Sequence, residues 1–114
     1  MKSKKYYHKK LIRDKIPDII KASKDNFETR ILSDKELEKE LKKKLVEEAK
    51  EVSQASKDSI LNELADVLEL IKSISSHFKI KFNQVEKYQT EKKKKRGWFE
   101  KKLFLIWSTG KSGK

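Results

Sequence analysis

The chain is 114 residues long, 35% hydrophobic and 42% charged, which fits one domain with a lean core and favours burial against a second copy. It has no cysteine and only two histidines, excluding a disulfide scaffold, a cysteine nucleophile and thiolate or histidine-rich zinc sites. The formal charge of +12 is unevenly placed, with ten basic and four acidic residues over 1–30, nine and eleven over 31–80, and eleven and three over 81–114. The middle of the chain is therefore an acidic island between basic flanks, which a uniform polyanion-binding coat would not show.

In chain order, Asp14 as N-cap with Pro17 in the first turn predicts a short helix over 15–23. The segment 27–32, with Phe27, Thr29 and Ile31, predicts a short strand. Ser33 followed by Glu36 is a capping-box pair that opens a long helix to about Ser56. On it Leu37, Leu41, Leu45, Val52 and Ala55 share one face. Asp58 restarts a second long helix whose apolar residues are Ile60, Leu64, Val67, Leu68, Ile71, Ile74 and Phe78. Asn83 is the candidate N-cap of a further helix ending before Gly97. Residues 98–107, with Trp98, Phe99, Phe104 and Trp107, predict a strand that pairs with 27–32. The glycine-bearing tail 108–114 is expected to be disordered. The fold class is then mainly α: two long antiparallel helices, shorter ones and a two-stranded sheet, one domain over 1–107 completed by dimerisation. The start shows no signal-peptide pattern and no apolar run reaches membrane-spanning length, so a cytoplasmic protein is expected.

Both long helices carry acids where apolar residues belong. At about 100° per residue, Glu48 falls inside the stripe of the first and Glu51 at its edge, about 60° from Glu48. In the second, Glu63 lies within about 60° of Ile60, Val67, Leu70 and Ile74, and Asp66 sits about 60° to one side. An unpaired buried carboxylate costs several kcal/mol or takes up a proton. Two neighbouring helices that each present such a pair form an all-oxygen nest suited to a hard divalent cation, Mg²⁺ first and Mn²⁺ as a substitute. The competing reading is a solvated helix face with i, i+4 ion pairs, for which Lys44 and Lys50 are at hand.

These residues also carry a resemblance. Lys44-Leu-Val-Glu-Glu-Ala-Lys-Glu51 followed by Asn62-Glu-Leu-Ala-Asp-Val-Leu68 resembles the paired acidic signature of MazG-like nucleotide pyrophosphohydrolases. Lys10-Leu-Ile-Arg-Asp-Lys-Ile-Pro17 and Arg96-Gly-Trp-Phe99 are similar to segments of its house-cleaning branch related to phosphoribosyl-ATP pyrophosphohydrolase. The resemblance implies an all-α, dimeric or higher-order enzyme. It also implies Mg²⁺-dependent hydrolysis of a nucleoside triphosphate, canonical or not, to the monophosphate and pyrophosphate. Carried over, Glu48, Glu51, Glu63 and Asp66 would hold the metal, with Glu48 or Glu51 as the alternative general base.

A triphosphate needs cations besides the metal, and Arg13, Lys15 and Arg96 are the candidates for its phosphates. For Arg13 an ion pair with Asp14 or Asp18 is the structural alternative. The basic run 92–96 suits a helix C-terminus and could touch nucleic acid without sequence specificity. The opposing functional class is therefore a non-catalytic, basic helical module binding nucleic acid through its flanks. The aromatic residues of 98–107 are expected in the core or a dimer contact. A membrane partner is not expected.

Overall fold

The computed structural model describes residues 4–111; the tail residues 112–114, part of the segment expected to be disordered, lie outside them. The protein is mainly helical, with α1 (Ile16–Ala22), α2 (Asp34–Gln54), α3 (Ile60–His77) and α4 (Phe82–Arg96). None of these helices is long and apolar enough to cross a membrane. Two compact units are described in turn, Met1–Ile80 and Lys81–Lys114.

The helix of the first unit with the clearest sequence signal is also the best capped. Ser33 Oγ accepts from the Glu36 backbone N–H at 3.2 Å, and the Ser33 N–H donates to Glu36 Oε1 at 3.2 Å. Arg30 grips the same carboxylate with two nitrogens, at 2.7 and 3.3 Å. That hydrogen-bonded guanidinium, followed by the Ser33 backbone N–H, holds the Glu36 carboxyl down at about 2. Ser33→Ala is expected to cost about 1 kcal/mol, read as a lower thermal midpoint. Because the folded-state value of Glu36 is depressed, its contribution is present above the ordinary 4.5 and is lost as pH falls through about 2. Glu36→Gln should therefore flatten the acid titration of helicity across that window.

α2 and α3 pack as an antiparallel hairpin across the short link 55–59. At the open end His77 Nε2 meets Glu38 Oε1 at 3.6 Å and Lys42 lies over the Phe78 ring at 5.4 Å. Nearer the link, Glu48 faces Glu63 and Asp66. Leu41 and Leu70, at 5% and 7% exposure, are the buried apolar residues among those described, with Leu37, Leu45, Val52, Val67 and Ile74 half-buried around them. The expected α3 stripe needs correction: Leu64 and Leu68 face outward, and the packed face runs through Ile60, Val67, Leu70 and Ile74. α3 is apolar on more than one side, so periodicity alone could not select the side that meets α2. It ends where the Ile80 N–H bonds the Ser75 carbonyl at 2.9 Å, while buried Ser75 donates its hydroxyl back to the Ile80 carbonyl.

Several expected boundaries shift. Lys15, not Asp14, stands at the N-cap of α1, Ser59 rather than Asp58 precedes α3, and Lys81 rather than Asn83 precedes α4. The Lys81 N–H is satisfied by Gln84 Oε1 at 2.9 Å, which replaces the expected asparagine cap. In the second unit α4 stops at Gly97, whose φ of 74° and ψ of −163° only glycine adopts freely. Its N–H still reaches the Lys93 carbonyl at 2.8 Å. Lys93 Nζ lies 3.2 Å from the Trp98 ring centroid, a cation–π contact within this unit.

Among the described residues no strand forms. Segments 27–32 and 98–107 have strand-like composition but belong to different units, and neither carries a backbone ladder. A strand is stabilised by its partner, not by its own sequence, so composition without pairing leaves irregular chain. Ile31 is 99% exposed, and Phe99, Phe104 and Trp107 are exposed as well, so they do not form a core of this chain.

Candidate metal centre

The site arises from helix spacing. Glu63 and Asp66, three residues apart on α3, are neighbours on its surface, and the antiparallel hairpin sets Glu48 of α2 against them. One carboxylate oxygen from each of the three lies within 4.8 Å of the others, and all three side chains are half-buried. Burial first, then the charge of Asp66, raises the Glu48 carboxyl above its ordinary range. Glu63 and Glu51 add to the effect, and Lys44 opposes it.

The cluster already has one cation at its edge. Arg13 Nη2 donates to Asp66 Oδ1 at 2.8 Å, and Arg13 Nη1 stands 4.0 Å from Glu69 Oε1. The turn that leads into α1, in which the Ile16 N–H bonds the Arg13 carbonyl at 3.1 Å, holds the arginine there. Half-buried Leu11, Ile12, Ile16 and Ile20 flank it on both sides. The expected alternative partners, Asp14 and Asp18, are not the ones it takes.

Of the four carboxylates proposed as ligands, Glu48, Glu63 and Asp66 come together, whereas Glu51 is exposed and outside the set. Glu51, one i+3 step from Glu48, is near enough to act on its charge but lies at the exposed edge of the packed face. Lys15 is exposed at the start of α1, and Arg96 closes α4 in the second unit. One participant was missed, Glu69, one more i+3 step along α3 from Asp66, while Lys44, named for an i, i+4 pair, does act on Glu48. The i, i+3 spacing would have flagged Glu69.

An all-oxygen donor set with one carboxylate already pushed upward fits a hard divalent cation, because the bound charge removes the repulsion. No nitrogen or sulfur ligand that would favour zinc belongs to the set. Without metal, Glu48→Gln should raise the thermal midpoint in EDTA at neutral pH. The sign follows from the raised folded-state value: Glu48 favours the fold when protonated, and that contribution is lost as pH rises through it. The same substitution should abolish stabilisation by added Mg²⁺.

No family model matches the chain, and neither a curated protein nor a solved structure matches it.

Proposed function

We propose that the protein is a Mg²⁺-dependent nucleotide pyrophosphohydrolase of the MazG-like kind, cleaving a nucleoside triphosphate to the monophosphate and pyrophosphate. The observation that carries this reading is the convergence of Glu48, Glu63 and Asp66 from two helices onto one point, with the Glu48 carboxyl raised by its neighbours. When bound, Mg²⁺ (or Mn²⁺ in its place) supplies charge neutralisation on phosphate oxygens and a more acidic water. Glu48, Glu63 and Asp66 hold that charge in place. Glu51, exposed one turn along α2, is the general base: it takes a proton from the attacking water as the α–β phosphoanhydride P–O bond breaks. The water oxygen ends on one product phosphate, and pyrophosphate leaves with the bridging oxygen or the new hydroxyl. Arg13 steadies Asp66 and stands ready for a phosphate, with Lys15 as a further cationic contact.

The enzyme works in the cytoplasm as a homodimer or higher homo-oligomer. Leu61, Leu64 and Leu68 line an outward apolar side of α3, and a second copy would cover it. The short sheet expected from 27–32 and 98–107 would then form between copies, where each segment finds the ladder it lacks.

The test is pyrophosphate release from a panel of canonical and modified nucleoside triphosphates, with Mg²⁺, Mn²⁺ or EDTA. Metal-dependent release from at least one nucleotide is expected; none from folded protein would remove the reading. One observation favours non-catalytic nucleic-acid binding instead: the whole run 92–96 is exposed at the end of α4. That reading expects affinity for single- or double-stranded nucleic acid that falls steeply with salt and is lost when the run is neutralised.

A further inference from the structure

The first unit has a groove between the chain entering α1 and the exposed side of α2, with Lys9 and Lys10 on one wall and Lys43 and Lys44 on the other. Glu40 and Glu47 also line it, so four lysines face two carboxylates and the groove is cationic on balance. Both walls lead to the carboxylate cluster. On the α2 side Lys44 acts electrostatically on Glu48, one turn further along. On the other side the chain passes from Leu11, at the groove, to Arg13, which bonds Asp66 at 2.8 Å.

We propose that this groove is the subsite for a polyphosphate anion, taking the terminal phosphates of the nucleotide and then the pyrophosphate product. Four lysines at one end of an acidic metal-type cluster match a substrate whose tail carries excess negative charge while its reacting phosphate goes to the carboxylates. The four lysines outnumber the two carboxylates of the groove, which leaves a surplus of positive charge for an anion. The proposal rests on the pyrophosphohydrolase reading, and its test separates the two.

The experiment measures binding of inorganic pyrophosphate to the full chain by calorimetry, with Mg²⁺ and with EDTA. Compared are wild type, Lys9→Gln/Lys10→Gln, Lys43→Gln, and Lys94→Gln/Lys95→Gln, which removes the same charge from the second unit. The groove variants are expected to weaken binding about tenfold, with the second-unit pair staying within about twofold of wild type. Equal weakening in the groove and second-unit pairs would mean general charge attraction and overturn the subsite, as would undetectable binding to wild type. Groove-dependent pyrophosphate binding without turnover of any nucleotide would keep the subsite and sink the hydrolase. Turnover that depends on Glu63, with pyrophosphate binding indifferent to the groove lysines, would do the reverse.

Discussion

Glu63→Gln is expected to lower Mg²⁺-dependent pyrophosphate release by about a thousandfold, while Glu51→Gln lowers it by a different route. The charge stabilisation a bound metal contributes is several kcal/mol, and each ~1.4 kcal/mol is a factor of ten in rate. Glu63 belongs to the three-carboxylate set, so its loss should also weaken Mn²⁺ binding, followed by electron paramagnetic resonance. Glu51 is outside that set and exposed, so its substitution should spare metal binding and reduce kcat by about 10²–10⁴, as loss of a general base does. Weakened Mn²⁺ binding in the Glu51 variant would make it a ligand and reassign the base. Full activity in the Glu63 variant would remove the proposed centre.

Leu70→Ala is expected to be the most destabilising substitution in the hairpin. Truncating a buried leucine costs about 2–5 kcal/mol, against a total stability of about 5–15 kcal/mol for an ordinary domain. Here Leu41 and Leu70 are the buried apolar residues among those described, so little else can compensate. The thermal midpoint should fall by about 10–20 °C, measured by circular dichroism at 222 nm. Leu64→Ala provides the contrast, because Leu64 is half exposed on the outer side of α3. Its cost should stay within about 0.5 kcal/mol in a monomer, while sedimentation should show weaker self-association. A large loss of stability for Leu64 with none for Leu70 would invert the assigned packing faces.

The helices were legible because their signals are local. The Ser33–Glu36 capping box, the Pro17 near the start of α1 and the Gly97 after α4 each act through neighbours within one turn. The acids at Glu48, Glu63 and Asp66 were legible too, since carboxylates inside apolar stripes are costly unless they meet a counter-charge. The strands expected over 27–32 and 98–107 do not form among the described residues, because strand-like composition does not supply the ladder that a strand needs.

The sequence by itself determined where the helices lie and which α2 face turns inward, as short-range periodicity and capping are written in adjacent residues. Tertiary structure decided that Leu64 and Leu68, also expected in the α3 stripe, stay outside while the side of Ile60, Val67, Leu70 and Ile74 packs, because that helix has two competing apolar sides. It also decided that Arg13 takes Asp66, 53 residues away, over the aspartates beside it. Both choices depend on how the hairpin closes and where the N-terminal segment crosses it. No local pattern carries that information, because the energies involved belong to pairs of surfaces rather than to runs of residues.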